Sequence, residues 1–270
     1  MPVFRLASAL DSDPIVEIIR SGVPEQLLPY TTFNCAGYHK YVLDTIHCQQ
    51  SRADSVYIVA AEGEKVTGFA EIRRDAEKLF LNNIYVVPYA QSKGTGRLLL
   101  YEGLCQVRDM NQGILELDVF ADNQKAKEWY FALGLTPISN QLWVDISLSD
   151  LPSDKVDWWV VSRMPQANAV HEIYGFSEFV LLTPAHNYMI GRLGTMYFRS
   201  TTSDILEDLS ALVALRSLDS QRRLFCVGSP DGVTRSRIRG SRVIASSIRL
   251  RGDLDSILMR LRSRIDHKHY

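Results

Sequence analysis

Apolar and polar positions along the chain predict a mixed succession of strands and helices. Val3 to Leu6 is predicted to be a short strand, and Asp11 to Ile19 has the capping side chain, early proline and apolar run of a helix start. The segment from Glu25 to Gln50 is mixed and helical in part. Val56 to Ala61 and Val66 to Arg73 are apolar runs on either side of a tight turn, which predicts a β-hairpin.

The middle of the chain predicts two strand–helix pairs and then two further strands. These are a strand over Leu79–Val87, a helix from Leu98 to Val107, a strand over Ile114–Phe120, a helix over Asn123–Leu133, and strands near Leu142–Leu148 and Trp158–Arg163. In the strand at 114–120, Glu116 and Asp118 share one face and apolar residues share the other. Gly134 and Pro137 end the second helix.

The pattern divides near Met164 and Pro165. We therefore predict a first domain over residues 1–165, a linker at Gln166 to Asn168, and a second, smaller α+β domain over residues 166–270. The elements predicted in the second domain are strands over Phe179–Leu182, Met189–Arg199, Arg223–Val227 and Arg242–Leu250 and helices over Ser203–Leu218 and Asp253–Arg264. We recognise no internal repeat in the sequence.

Composition narrows the class of protein without identifying it. Hydrophobic residues make up 46% and charged residues 23% of 270 residues, and the net charge is −1. That mixture is typical of a soluble globular protein, and it provides no global attraction to nucleic acid or to an anionic membrane. We see no signal peptide and no apolar run long enough for a membrane span. The four cysteines form no CxxC pair, so we expect reduced thiols, no metal site and a cytoplasmic location.

One loop has recognisable chemistry. The predicted strand ends at Pro88, and a short segment containing Gly94 and Gly96 leads directly into the next helix. Free backbone N–H groups and the positive end of the helix dipole coincide there, which predicts an anion site suited to pyrophosphate. The spacing matches neither the GxxxxGKS/T of a Walker loop nor the GxGxxG of a Rossmann fold.

Two sequence motifs lie on the two predicted strand–helix pairs. The loop has a Q-x-x-G-x-G pattern at Gln91, Gly94 and Gly96. The second helix has an N-x-x-A-x-x-x-Y-x-x-x-G pattern at Asn123, Ala126, Tyr130 and Gly134. Together they resemble the GCN5-related N-acetyltransferase (GNAT) family, which usually has Phe at the position of Leu135. The resemblance covers about residues 1–165. It implies a GNAT-like α/β fold, with a mixed, mostly antiparallel central sheet flanked by helices.

The resemblance also implies which residues bind acetyl-CoA, the expected co-substrate. The strand edge at Ile84, Tyr85 and Val86 would hold the pantetheine arm, and a backbone N–H near Val86 would polarise the thioester carbonyl. The implied cofactor-binding set continues with Gln91, Ser92, Lys93, Gly94, Thr95, Gly96, Arg97, Asn123 and Tyr130. Tyr130 is the implied acid for the leaving thiolate, because a tyrosine is neutral at pH 7 and can donate a proton.

The general base has several candidates. A carboxylate, or a water chain that ends at one, can take the proton of the attacking amine. Asp118 and Glu116 on the strand at 114–120 are candidates, and Glu71 on an earlier strand is another. Asn82 and Asn83 stand where some family members carry an acid, which argues against a base at those positions.

These features predict an acetyl-CoA-dependent N-acetyltransferase that moves an acetyl group to a primary amine by direct attack in a ternary complex. The acceptor is expected to be a small amine, an amino acid or a peptide N-terminus, because the segment from Pro24 to Gln50 lacks a dense acidic cluster. One alternative is a coenzyme A-binding sensor or scaffold without catalysis. Another is a nucleic-acid or ribosome-directed protein that uses the alternating arginines from Arg235 to Arg239.

Partners beyond the amine acceptor are less defined by the sequence. We expect no membrane partner and no nucleic-acid partner, and a homodimer is a candidate assembly. The second domain, 166–270, is expected to cap the acceptor cleft, to mediate dimerisation, or to be a degenerate copy of the first domain.

Overall fold

The computed structural model describes residues 2–49, 54–109, 111–149, 151, 157–235 and 240–266. In the first half of the chain the helices and strands are β1 (Val3–Leu6), α1 (Ser12–Gly22), α2 (Tyr38–Cys48), β2 (Ser55–Glu62), β3 (Lys65–Arg74), β4 (Lys78–Val86), α3 (Thr95–Val107), β5 (Ile114–Phe120) and α4 (Gln124–Ala132). In the second half they are β6 (Thr136–Ile146), β7 (Val160–Ser162), α5 (Met164–Tyr174), β8 (Phe176–Leu182), β9 (Asn187–Leu193), β10 (Tyr197–Ser200), α6 (Leu209–Leu218), β11 (Arg223–Gly228), α7 (Pro230–Arg235), β12 (Ser241–Asp253) and α8 (Leu254–Asp266). Within the described residues, no helix has the length and apolar character that crossing a membrane requires.

The chain forms two compact units whose segments interleave. Unit 1 contains Met1–Val23, His39–Ile138 and Ile248–Tyr270, and unit 2 contains Pro24–Tyr38 and Ser139–Ser247. The sequence predicts a single division near residue 165, whereas each unit takes segments from well-separated parts of the chain. The C-terminal segment, including α8, therefore belongs to the unit that carries both sequence motifs.

Unit 1 is built on a mixed sheet. Its strand order is β1-β2-β3-β4-β5-β12, with antiparallel pairing from β1 to β4 and parallel pairing between β4 and β5. Helix α3 supplies the long crossover that a parallel pair needs. Aliphatic residues of the strands, α3 and α8 form one buried core, which includes Ile58, Leu99, Leu117 and Leu261. The predicted α/β fold, with a mixed, mostly antiparallel sheet flanked by helices, is confirmed.

Unit 2 repeats part of this arrangement. Its strands follow the order β6-β11-β10-β9-β8-β7, in which β10 and β11 are parallel and their neighbours pair antiparallel. Helix α6 makes the crossover between the parallel strands, and its apolar face joins a core that includes Phe179, Phe198, Leu212 and Leu215. The sequence shows no internal repeat, although a degenerate copy of the first domain was one of the expectations for residues 166–270.

Several predicted elements of the second half differ from the structure, and the strand predicted over Met189–Arg199 is two strands, β9 and β10. The expected linker at Gln166 to Asn168 lies inside α5, because Pro165 is tolerated in the first turn of a helix and Gly175, with φ 75°, ends it. The expected helix from Ser203 to Leu218 is interrupted: a short 3-10 turn comes first, and Asp208 then caps α6. Of the alternating arginines, Arg235 ends α7, and residues 236–239 lie outside the described part of the chain.

Candidate active site

Strand β4 is paired differently on its two edges. On the β3 side, the antiparallel register shifts after Glu71, which leaves Asn82 as a β-bulge. On the β5 side, the parallel register ends where Leu81 lies opposite Leu117. Strand β4 nevertheless continues to Val86, so its last residues have an edge that β5 does not cover.

This uncovered edge presents the backbone groups of Ile84 and Val86. The N–H of Val87 donates to the carbonyl oxygen of Thr67 on β3 at 2.9 Å. Successive residues of an antiparallel strand direct their backbone groups to opposite edges, so those of Val86 and Ile84 point away from β3. The side-chain amide of Gln91 donates to the carbonyl oxygen of Val86 at 2.9 Å, which ties the next loop to this edge.

The loop before α3 turns through two residues in the left-handed region. Ser92 has φ 62°, and Gly94, which caps α3, has φ 89°. Among the described residues, the N–H groups from Ser92 to Gly96 donate no backbone hydrogen bond. The hydrogen bonds of the helix begin with the N–H of Arg97, which donates to the carbonyl oxygen of Gly94 at 3.0 Å. Consecutive free N–H groups at a helix start form an anion site.

The loop side chains differ in how they are held. The Thr95 hydroxyl is buried and donates to the carbonyl oxygen of Ala90 at 3.1 Å. The Arg97 Nη1 donates to the carbonyl oxygen of Arg264 on α8 at 2.7 Å, and its Nε is buried without a partner among the described residues. Lys93 is exposed. Arg97 therefore fastens the start of α3 to α8, and Lys93 is the cationic side chain that the loop exposes.

Helix α4 positions Asn123 and Tyr130. The Asn123 side-chain oxygen caps the helix by accepting the Ala126 N–H at 3.1 Å. Tyr130 is 6% exposed, and its pKa is raised by burial and then by the nearby Tyr85. Burial raises the pKa of Tyr85 to about 12. Both hydroxyls therefore keep their protons at neutral pH, as a proton donor must.

The two candidate bases on β5 are both ion-paired. Glu116 is 1% exposed and accepts from Lys78 at 2.9 Å and from Arg251 at 2.8 Å. Burial by itself raises the pKa of Glu116, but the hydrogen bonds from Lys78 and Arg251 outweigh it and hold the pKa below its usual value. Asp118 accepts from Arg249 at 2.8 and 2.6 Å and is the first β5 residue beyond the last pair with β4. The geometry argues against Glu116 as a base.

Glu71, the third candidate, is enclosed beside the bulge. It is 2% exposed, and its Oε1 accepts from the Ser55 hydroxyl at 2.8 Å. Its Oε2 accepts from the side-chain amides of Asn82 and Asn83 at 2.7 and 2.6 Å. The Arg73 Nε lies 3.9 Å from Oε1. From the sequence, the two asparagines are only positions without an acid, whereas in the structure they bind the acid of the neighbouring strand.

Strand β12 contributes two arginines that bind the β5 carboxylates, which was not predicted although the spacing of these residues in the sequence indicates it. Arg249 and Arg251 are two residues apart, as are Asp118 and Glu116. Opposite charges at a spacing of two are typical of facing residues on paired strands. The structure joins Asp118 to Arg249 and Glu116 to Arg251. Among the described residues, no group of three or more His, Cys, Asp or Glu side chains could hold a metal ion.

Comparisons with known proteins extend these observations. The acetyltransferase (GNAT) family matches residues 25–135. A tandem GNAT protein from the clavulanic acid biosynthesis pathway has a TM-score of 0.62 at 13% identity, over 94% of this chain and 99% of that one. A putative acetyltransferase from Pyrococcus horikoshii has a TM-score of 0.61 at 12% identity, over 93% of this chain and 89% of that one. A GCN5-related N-acetyltransferase from Sphaerobacter thermophilus has a TM-score of 0.59 at 13% identity, over 94% of this chain and 96% of that one. No curated protein gives a significant match.

At such low identity the solved structures show a shared fold, and that fold extends over most of this chain. The tandem organisation of one of them agrees with the repeated crossover in unit 2. The family match ends at Leu135 and contains both motifs, at Gln91 to Gly96 and at Asn123 to Gly134. The resemblance seen in the sequence is confirmed, because the acetyltransferase (GNAT) family model matches residues 25–135 of this chain.

Proposed function

We propose that the protein is an acetyl-CoA-dependent N-acetyltransferase that acts on a primary amine in a ternary complex. One observation supports this above the others. The uncovered edge of β4 at Ile84 and Val86 leads into the free N–H groups of Ser92 to Gly96, at the start of α3. An extended thioester arm can bind along a strand edge while the attached pyrophosphate binds the helix start.

The residues present fit this ligand in a defined division of roles. The backbone N–H groups from Ser92 to Gly96 bind the pyrophosphate, and the exposed Lys93 adds positive charge. Gln91 holds the loop against the carbonyl oxygen of Val86. The Val86 N–H faces the uncovered edge and polarises the thioester carbonyl, and losing such a donor typically costs about a hundred- to a thousandfold in rate. The side-chain oxygen of Asn123 caps α4, which leaves its amide N–H groups as the donors that we assign to the coenzyme.

Proton transfer falls to two residues of unit 1. Tyr130, whose pKa is raised by burial, gives its proton to the departing sulfur. Asp118 is the candidate base on β5, because it lies just beyond the point where β4 and β5 separate and is more exposed than Glu116. The amine attacks the carbonyl carbon, the carbon–sulfur bond breaks, and the amine proton passes to Asp118. The proposed acceptors are small amines, amino acids and peptide N-termini.

The test uses the full chain with acetyl-CoA and a panel of amines from those three classes. We expect saturable binding of acetyl-CoA by calorimetry and release of free thiol with at least one class of amine. Absence of acetyl-CoA binding contradicts the proposal. Binding without turnover on any amine identifies a coenzyme-binding module and contradicts the enzymatic part.

A further inference from the structure

We infer that Glu71 is a positioning residue that holds the β-bulge of β4 and thereby decides which backbone groups face the coenzyme. The inference rests on the proposed function, because it concerns the acetyl-CoA site of unit 1. Glu71 lies on β3 directly opposite Asn83, at the point where the register between β3 and β4 shifts. Its role is thus separate from that of a base.

Both asparagines bind one oxygen of Glu71. Asn82 and Asn83 donate to Oε2 at 2.7 and 2.6 Å. Successive side chains of a regular strand point to opposite faces, so two neighbours cannot both reach the same acceptor. A bulge removes this alternation locally, because two residues of one strand then oppose one residue of the other. The Glu71 carboxylate therefore stabilises the bulged backbone relative to the regular one.

The bulge determines which edge of β4 the backbone N–H and C=O groups of the following residues face. With the bulge, Val87 pairs with Thr67, and the groups of Ile84 and Val86 point to the uncovered edge. Without it, the register slips by one residue, and each residue presents its backbone to the opposite edge. Val86 would then donate to β3, and the uncovered edge would lose the N–H that the proposed chemistry uses.

The surroundings of Glu71 suit anchoring better than proton transfer. The side chain is 2% exposed, and both of its oxygens accept hydrogen bonds. A buried carboxylate is strongly disfavoured unless such bonds satisfy it. Removing it leaves the amides of Asn82 and Asn83 without their acceptor, which favours another backbone arrangement at this position.

The experiment compares Glu71→Ala with Asp11→Ala in the full chain. Asp11 is a matched control, because it is also a buried unit 1 carboxylate, at 3% exposure, and accepts from Arg5 and Ser8. Each variant is titrated by calorimetry with acetyl-CoA and with adenosine 3′-phosphate 5′-diphosphate, which has the pyrophosphate but lacks the pantetheine arm. Thermal unfolding of both variants measures the general loss of stability.

We expect Glu71→Ala to weaken acetyl-CoA binding by about tenfold or more while binding of the pantetheine-free nucleotide changes by less than about threefold. Asp11→Ala should lower the melting temperature and leave both affinities within about threefold of wild type. If the wild type binds acetyl-CoA and Glu71→Ala binds it with the same affinity, the inference is overturned. It is also overturned if Glu71→Ala loses affinity equally for both ligands, or if both variants lose acetyl-CoA affinity equally. Failure of the wild type to bind acetyl-CoA overturns the proposed function instead.

Two further variants address the case in which Glu71→Ala does not fold and the alternative that Glu71 is the general base. Asn83→Ala removes one donor to Glu71 and should show the same selective loss for acetyl-CoA, so the inference stays testable if Glu71→Ala does not fold. Glu71→Gln keeps an oxygen for both asparagines, and its amide nitrogen can face the Ser55 hydroxyl, which can accept. We expect this variant to retain turnover within about fivefold of wild type. Loss of turnover with intact binding would instead identify Glu71 as a proton acceptor.

Discussion

The crossovers of the two units share a topology but differ where the helix begins. In unit 1, β4 extends beyond β5, and Gly94 leaves the N–H groups at the start of α3 free. In unit 2, β10 is paired with β11 along its whole length, and α6 begins at Asp208, whose carboxylate accepts the Ala211 N–H at 3.0 Å. The N–H groups at the start of the helix are therefore free in unit 1, whereas in unit 2 the capping carboxylate accepts one of them.

The charged residues that precede the two helices also differ between the units. Asp208 also accepts from Thr183 at 2.6 Å and from Tyr188 at 3.2 Å. Asp204 and Glu207 precede it in the same segment, where unit 1 has glycines and a lysine. A diphosphate would be repelled there. A parallel crossover alone thus makes no anion site, because the residues that precede the helix decide whether its N–H groups are available.

The largest expected effect contrasts two buried tyrosines. We expect Tyr130→Phe to lower kcat by about a hundredfold or more, since it removes the proposed acid, and to have a much smaller effect on acetyl-CoA affinity, because the aromatic ring is kept. Tyr188→Phe in unit 2 removes another buried hydroxyl whose pKa burial raises, and should leave kcat at the wild-type value. Steady-state kinetics and calorimetry measure both variants. Equal kcat for Tyr130→Phe and wild type would show that the acid is assigned wrongly.

The next effect concerns the ion-paired Glu116. Replacing it by Gln leaves Lys78 and Arg251 without their buried partner, and we expect unfolding free energy at neutral pH to fall by about 3 kcal/mol. The lowered pKa of Glu116 means that its stabilisation is present above the unfolded-state pKa and is lost as pH falls through the folded-state pKa. Urea unfolding should therefore show wild type and variant converging in acid. A constant difference across pH would contradict the ion-pair explanation.

A smaller effect should distinguish Gly94 in the loop from another glycine with positive φ. Gly94 and Gly63 both have positive φ, at 89° and 62°, and Gly63 lies in the turn between β2 and β3. Replacing either by Val strains the backbone by about 1–3 kcal/mol. We expect only Gly94→Val to weaken acetyl-CoA binding, by about tenfold to a hundredfold. Similar affinities for the two variants would remove the loop from the coenzyme site.

The smallest effect tests unit 2 directly. Asp208→Ala removes the cap of α6, and we expect a loss of about 1–2 kcal/mol in unfolding free energy with no change in acetyl-CoA affinity. Calorimetry on the wild type should give one acetyl-CoA per chain. A stoichiometry of two would break the comparison, because it would require a second coenzyme site in this unit.

The sequence was sufficient for the local elements of unit 1. Strand alternation predicted β5 at Ile114 to Phe120 with its observed bounds, and the helix predicted from Leu98 is α3, which begins earlier, at Thr95. The site was partly predictable for the same reason, since Gln91 to Gly96 and Asn123 to Tyr130 are contiguous motifs. Pro165 misled the prediction because the same residue that ends one element can begin a helix.

The remaining features depend on contacts between distant residues. Nothing local to Glu71 shows that Asn82 and Asn83 share its Oε2, because the bulge appears only when β3 and β4 are paired. Arg97 has the sequence position of a phosphate ligand, yet it binds the carbonyl oxygen of Arg264, which lies on the last helix. Periodicity within one segment cannot report such pairings.

The position of α8 has a consequence for synthesis on the ribosome. Unit 1 includes the segment Ile248–Tyr270, which is translated after all of unit 2. While the chain is growing, Glu116 has Lys78 but not Arg251, and Arg97 has no Arg264 to bind. The coenzyme site therefore cannot mature in the usual N-terminal-first order. Activity should appear only after α8 has left the exit tunnel, so unit 1 completes its folding after unit 2 has been synthesised.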